Sequence, residues 1–405
     1  MKIQMDRQIN IYLLLLALIS CLFIYSSSTN FGQYGDAFIV KQITFYCIGF
    51  VIMYAVSRLD FEQLKKISWP FYGVIVFLLI ALIFAPESIA RPINEAKSWY
   101  HIKFLGTFQP SEFLKFALLL VVAKLIESHN KKEQVQTYFT DLWLLTKIAI
   151  ISIPPMLIVY KQPDTGMLML YMAMLIPMIY FSGIKKQLLA VITIIPTVLI
   201  STIIIIYIWF NQFFTDKILT SLSPHQISRI NGWLHPFEFS DSAYQTKLGL
   251  LAIGSGLLSG KGYLQNNVYV PEKHTDFIFS TIAEETGFIG ASIVIVLFFL
   301  LLYRMVFHAL HAKKQFTFLI AAGIIGLLTF QIFQNIGMTI GLLPVTGVTL
   351  PFLSYGGSSL LSNMMLIGLI HAIKMSYSGY MFKNTNELEV QSGAKFPNKK
   401  DTRTI

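Results

Sequence analysis

Long apolar runs separated by short polar clusters recur along almost the whole chain. Each run approaches the ~20 residues that a helix needs to cross a hydrocarbon core of about 30 Å. Backbone in lipid must satisfy its own hydrogen bonds, which leaves helices as the conformation for such runs. The pattern therefore predicts an all-α integral membrane protein with about ten transmembrane helices. They fall near residues 10–27, 42–57, 69–85, 111–127, 143–160, 166–182, 187–210, 277–303, 316–340 and 358–375. Between the seventh and eighth lies a longer stretch, 211–276, beyond the length of an ordinary connection. It carries Trp233, Tyr244, Tyr263, Tyr269 and an apolar string from Leu248 to Leu258, so it is expected to fold over one membrane face with short interfacial helices. Residues 1–380 then form one polytopic domain, and the polar end, 381–405, reads as a disordered tail.

Composition agrees with this picture: of 405 residues, 55% are hydrophobic and 13% charged, so most of the apolar surface must meet lipid. The net charge of +10 does not point to nucleic acid, because the basic residues come in ones and twos between apolar runs and form no stripe. They act instead as topology signals. Lys2 and Arg7, then Arg58, Lys65 and Lys66, Lys124, Lys131 and Lys132, Lys185 and Lys186, Arg304, Lys313 and Lys314, and the stretch from Lys374 all fall on one side. That bias places both termini in the cytoplasm and segment 211–276 outside. Carboxylates run the other way, with Glu95, Glu112, Asp164, Glu272, Asp276, Glu284 and Glu285 on or near the outer side. Cys21 and Cys47 both lie inside apolar runs and support neither a disulfide framework nor a thiolate metal site. The first run follows two basic residues as a signal peptide would, but it has no convincing small-residue cleavage site and is kept as a span.

Four strings carry candidate chemistry. In AKSWYHIKFLGTFQPSEFLK, from Ala96 to Lys115, Pro110 suits a helix start, and Glu112 and Lys115 stand three apart on one helix face. The pair is either an ion pair anchoring the helix end or the lining of a polar cleft where Lys115 meets phosphate. Trp99 is an interfacial anchor or a substrate contact. In KQPDTG, Asp164 sits between two spans at the outer surface, as a turn-and-cap residue or as a functional carboxylate. In VPEKHTDFIFSTIAEETGFIGA, from Val270, Thr275 or Asp276 is expected to cap a helix, with Asp276, Ser280 and Glu284 following along one face. Asp276 stands out there as a candidate for chemistry, and His274 reads as a metal ligand, an acid or a hydrogen-bonded structural group. The fourth string, from Gly341 to Asn363, is rich in glycine and serine and either admits a ligand to the backbone or packs as a tight re-entrant turn. Gln331, Gln334 and Asn335 are expected to hydrogen-bond between helices. Gly254 to Gly262 looks like a phosphate loop, but its glycine spacing fits neither nucleotide fingerprint.

Taken together and in this order, AKSWY with QPSEFLK, KQPD with Gly166, SRINGWLHP from Ser228, AIGSGLLSGKG, PEKHTDFIF with EETGFIGA, and GLLPVTGVTLPFLSYGGSS resemble the SEDS family of shape, elongation, division and sporulation proteins. The resemblance covers Asn10 to about Met375 and is nearer to the elongation (RodA) branch, on Ser98 before the Trp and the short N-terminal tail. It implies a peptidoglycan glycosyltransferase that polymerises lipid II, carried on undecaprenyl pyrophosphate, on the outer face of the bacterial cytoplasmic membrane. The family's essential aspartate falls on Asp276, its QPSE glutamate and lysine on Glu112 and Lys115, and its QPD aspartate on Asp164. Arg229 and Lys261 join Lys115 as cations for the pyrophosphate, with Trp99 as a further substrate contact. A class B penicillin-binding protein is the partner the resemblance implies. No resident metal site is expected, although a divalent cation, Mg2+ or Mn2+, held by Asp276 and Asp164 is one way to neutralise the leaving group. Thr165, Thr349 and the single glycines of SGLLSG depart from the family pattern in loop shape. A flippase that moves lipid II across the membrane is the alternative reading, since intramembrane charges such as Glu112 and Lys115 suit transport as well.

Overall fold

The computed structural model describes residues 5–29, 37–91, 97–102, 106–133, 137–221, 224–234 and 243–381. Glu95 and the tail beyond 381 lie outside the described residues. Among the described residues, ten long helices match the ten apolar runs: α1 (Arg7–Thr29), α2 (Ala37–Ser57), α3 (Phe61–Phe84), α4 (Pro110–Lys132), α5 (Tyr138–Lys161), α6 (Thr165–Tyr180), α7 (Lys186–Trp209), α11 (Ile278–Leu310), α12 (Gln315–Thr339) and α13 (Gly357–Met381). Eight of them are long and apolar enough to cross a membrane. The other two are α4, whose charged ends lower its hydropathy, and the 16-residue α6. The segment after α7 holds the three-residue α8 (Asn211–Phe213), a π turn, a 3-10 turn, and two short helices, α9 (Pro224–Leu234) and α10 (Tyr244–Ser255). Among the described residues the only strands are β1 (Tyr100–Ile102) and β2 (Gly106–Phe108), a small antiparallel pair just ahead of α4 that apolar periodicity did not reveal.

Local signals account for the helix starts. Pro110 opens α4, where its missing N–H costs nothing. Thr137 and Thr140 cap α5 reciprocally, at 2.9 and 3.2 Å between each backbone nitrogen and the other's hydroxyl. Asp164 caps α6 by accepting the Met167 N–H at 3.1 Å.

Burial ranks the helices. Two-thirds or more of the apolar windows of α12 and α13 are buried, and α4 is buried continuously from Leu114 to Ala123. These three form the centre. Around them α13 packs on α2, α12 on α6 and α11, α4 on α3, and α1 on α11. Helix α7 has no buried residue, and most of its predominantly apolar surface faces outward.

Helix α11 is broken one-third of the way along. Gly287 has φ of 66° and ψ of −163°, a conformation open to glycine alone. Such a break strands backbone groups that lipid cannot satisfy. The loop 257–262 satisfies them: Lys261 and Gly262 donate N–H bonds to the Glu284 and Glu285 carbonyls at 3.0 Å each, and Phe288 and Ile289 donate to the Leu257 and Leu258 carbonyls at 2.9 and 3.2 Å. A Cβ on Gly260 would stand 2.1 Å from the Glu285 carbonyl oxygen, so only glycine permits this approach. The GSGLLSGKG string is thus a backbone patch for a broken helix, which explains Gly256, Gly260 and Gly262 without any phosphate.

Candidate functional site: an enclosed carboxylate cluster

The turn Pro271–Phe277 delivers Asp276 ahead of α11, whose first turn begins at Ile278. Neither Thr275 nor Asp276 caps that helix, contrary to expectation. Phe277 occupies the cap position, and the Thr275 hydroxyl bonds back to Glu272 at 3.1 Å. Ser280 and Glu284 lie on the helix, while Asp276 stands outside it, so the three do not share one helical face. Freed from capping, the Asp276 carboxylate is available for other work.

Two polar clasps fix its position. The Asn335 side-chain amide of α12 donates to the Asp276 carbonyl at 2.8 Å and to the Val348 carbonyl at 2.7 Å, joining two chain segments through one nitrogen. Ser354 donates to the Thr275 carbonyl at 2.6 Å, and the Tyr355 N–H donates to the His274 carbonyl at 2.9 Å. Gln331 and Gln334 likewise bond the Thr349 and Pro344 carbonyls at 3.0 and 3.1 Å. The α12 amides therefore grip the following loop and do not bridge to another spanning helix. The reason lies in that loop, whose extended carbonyls have no ladder partners of their own.

The same loop brings Asp164 into register. A Cβ on Gly166 would meet Val348 Cγ2 at 2.7 Å and the Thr346 carbonyl at 3.0 Å, so the start of α6 lies directly against residues 346–348. Gly347, at φ of 74°, turns beside Asp276, where a Cβ would come 3.5 Å from Oδ2. Asp164 accepts from Gln109 Nε2 at 2.9 Å as well as from Met167, so it is both a cap and a member of the site.

Both carboxylates sit in recesses where the residue keeps some solvent access while protein surrounds the acid group. Burial raises the Asp276 carboxyl to about 7, the charges of Glu272 and Asp164 push the same way, and Arg229 opposes them. Burial raises Asp164 to about 6, aided by Glu112 and countered by the Met167 N–H, Arg229 and Lys115. Burial lowers Arg229, with Asp276 and Asp164 holding it up. Asp276, Asp164 and Arg229 thus share one electrostatic neighbourhood, and Glu112 and Lys115 act on it through Asp164.

Glu112 and Lys115 form a buried pair, Nζ to Oε2 at 2.5 Å, with the lysine side chain 0% exposed. Ser362 donates to Glu112 at 3.0 Å and Lys115 donates to Asn363 at 3.3 Å, tying α4 to α13. Tyr171 of α6 donates to the Ser111 carbonyl at 2.7 Å. Ser111 Oγ, Asn363 Nδ2 and both Gln162 side-chain polar atoms are buried without a hydrogen-bond partner among the described residues, so this region holds unused polar capacity. Trp99 is half-buried immediately before β1. Lys261 is committed elsewhere: its ammonium lies 2.5 Å from Glu284, which also accepts the Asn267 and Val268 N–H groups. Of the three expected cations, Arg229 alone combines partial exposure with proximity to both raised carboxylates. Gln109 and Asn335 are positioning residues whose site roles sequence reasoning missed. Their long-range partners leave no local signature.

No set of three or more His, Cys, Asp or Glu side chains converges in metal-binding fashion among the described residues. Asp276 and Asp164 offer two carboxylates, a donor set that suits Mg2+ when substrate phosphates and water complete its shell.

A bundle of long apolar helices with an ionisable cluster held between interhelical loops defines a multi-pass membrane protein with a polar site. The chain belongs to the FtsW, RodA and SpoVE family, described as cell cycle protein, which it matches over residues 6–379. It is 33% identical to Stage V sporulation protein E of Bacillus subtilis, over 94% of this chain and 99% of that one. Identity is 32% to the probable peptidoglycan glycosyltransferase FtsW of Lactococcus lactis, over 84% and 83% of the two chains. It is 28% to the peptidoglycan glycosyltransferase RodA of Treponema pallidum, over 89% and 96%. These identities do not set RodA apart from the other branches. Among solved structures, one describing the coordination of polymerization and crosslinking by a peptidoglycan synthase complex superposes with a TM-score of 0.73 at 24% identity, covering 92% of this chain and 98% of that one. The crystal structure of Thermus thermophilus rod shape determining protein RodA gives 0.64 at 24%, covering 93% and 98%. The fold is therefore shared.

Proposed function

We propose that the chain is a peptidoglycan glycosyltransferase of the bacterial cytoplasmic membrane that polymerises lipid II on its outer face. The observation that carries the reading is the Asp276 carboxyl, raised to about 7 and held beside Arg229 by clasps from two other segments. A general base works best with a pKa near the operating pH, and a positioned one contributes about 10² to 10⁴ in rate. Asp276 takes the proton from the acceptor sugar hydroxyl as that oxygen attacks the anomeric carbon of the donor. The bond from that carbon to the pyrophosphate oxygen breaks with inversion, and undecaprenyl pyrophosphate leaves with the electron pair. Arg229 faces the developing negative charge. Asp164 shares its field with Asp276, and Glu112 with Lys115 anchors the α4 end of the site. A Mg2+ or Mn2+ ion held by Asp276 and Asp164 would supply charge neutralisation on the pyrophosphate. The similar solved complex, which coordinates polymerization and crosslinking, supports a class B penicillin-binding protein as the partner that would crosslink the product.

The test is glycan synthesis from lipid II by the purified protein in liposomes, with and without chelator, against Asp276→Asn. The variant is expected to fold and to lose at least about a hundredfold in rate. Glycan chains from it at the wild-type rate would refute the assignment. Fluorescent lipid II accessibility, followed in the same vesicles, separates polymerisation from transport: movement of lipid II without glycan would favour a flippase.

A further inference from the structure

A second polar recess lies at the opposite end of the bundle from Asp276, where the start of α3, the end of α4 and the start of α12 meet. It encloses about 310 Å³ and is lined by Glu62, Lys65, Glu127, Lys131, Lys314 and Gln315. Its floor is an ordered charge network. Lys65 Nζ lies 2.7 Å from one Glu127 oxygen and 3.2 Å from Glu62, and Lys131 lies 3.0 Å from the other Glu127 oxygen. Both Glu127 oxygens are thus engaged, while Lys314 makes no ion pair among the described residues. Three lysines against two glutamates leave the lining one positive charge in excess.

The recess adjoins an apolar outer surface. Lys65 and Trp69 stand four apart on α3, hence on one face, and Trp69 and Ile67 are each 44% exposed. An indole one turn below a charged recess is the arrangement of a membrane–water interface, with acyl chains alongside the helix and polar groups above. With the N-terminus in the cytoplasm, as the basic connections predict, this interface is the inner leaflet, and basic recesses between helices there suit anionic lipid headgroups.

We propose that this recess binds the phosphate of an anionic phospholipid headgroup from the inner leaflet, with Lys314 and Lys131 as its contacts and Lys65–Glu127 as its fixed floor. The excess of one positive charge matches a phosphodiester monoanion, and Trp69 selects a lipid over a soluble phosphate because it seats the glycerol and acyl region. The site stands apart from the Asp276 cluster, so the inference rests on the orientation of the chain and not on the proposed reaction.

The test uses the full chain in detergent, titrated with phosphatidylglycerol, phosphatidylcholine or inorganic phosphate, with bound lipid counted by native mass spectrometry and stability followed by thermal unfolding. Wild type is expected to retain phosphatidylglycerol in preference to phosphatidylcholine and to ignore phosphate. Lys131→Ala with Lys314→Ala should weaken phosphatidylglycerol roughly thirtyfold, and Lys314→Ala alone, a surface change that spares the Glu127 network, roughly fivefold. Lys186→Ala, exposed on another basic connection, should change nothing. Unaltered phosphatidylglycerol affinity in both lysine variants would overturn the proposal, as would protection by inorganic phosphate equal to that of the lipid.

Discussion

The Glu112–Lys115 pair offers a sharp test of how the site is held. At 2.5 Å the gross attraction is about 7 kcal/mol for an effective dielectric near 20, most of it offset by the cost of removing both ions from water. Removing one partner forfeits the attraction and leaves the other charge buried, which costs about 3–5 kcal/mol. Lys115→Met or Glu112→Gln alone should therefore destabilise strongly. Replacing both removes two desolvation costs together and should bring stability back to within about 1–2 kcal/mol of wild type. Activity should follow stability, because Glu112 raises and Lys115 lowers the pKa of Asp164, so their joint removal takes away two opposing influences there. A double-mutant cycle on unfolding in detergent, paired with glycan synthesis in liposomes, measures both. Additive destabilisation would refute the coupling. A double variant that is stable yet silent in glycan synthesis would refute the anchoring role and give Lys115 a direct part in binding pyrophosphate.

Glycan synthesis should fall about tenfold per pH unit below about 7, because only the ionised Asp276 accepts a proton and burial raises its carboxyl to that value; a rate profile flat from pH 5 to 8 would exclude it as the base. Arg229→Gln removes a charge that holds that carboxyl down, so the acidic limb should move to higher pH while the maximal rate drops. Gly287→Ala cannot adopt φ of 66° with ψ of −163° without cost, and the broken helix with its patch should lose roughly 1–3 kcal/mol, read by unfolding in detergent. Asn335→Leu leaves two carbonyls without their donor and should lower the maximal rate with a smaller effect on apparent substrate affinity, since it shifts the segment carrying Asp276.

Apolar run length located the helices because lipid imposes one rule on every spanning segment, and the ten runs correspond to ten long helices. Asp164 and Asp276 were legible for the same reason: a carboxylate at a span edge is costly unless it is used. What pattern reasoning misplaced depended on tertiary geometry. Lys261 looked like an available cation, yet a helix break 26 residues further on sends its ammonium to Glu284. The amides of α12 looked like links between helices, but the loop that follows them had carbonyls to satisfy. The β1–β2 pair escaped notice because three-residue strands carry too short an alternation to read.

Helix α7 makes a different kind of statement about this molecule. Its 24 residues measure about 36 Å, against a hydrocarbon core of about 30 Å, and its packing on the main core lies in its first turns, at Leu189 and Ile192. Bilayer thickness then sets its tilt, at a fraction of a kcal/mol per Å of mismatch. The rest of the bundle is braced by packing and would hold still while α7 leans, carrying the base of the segment that follows it. Sterol-like or short-chain lipids that thicken or thin the membrane would act on this one strut first.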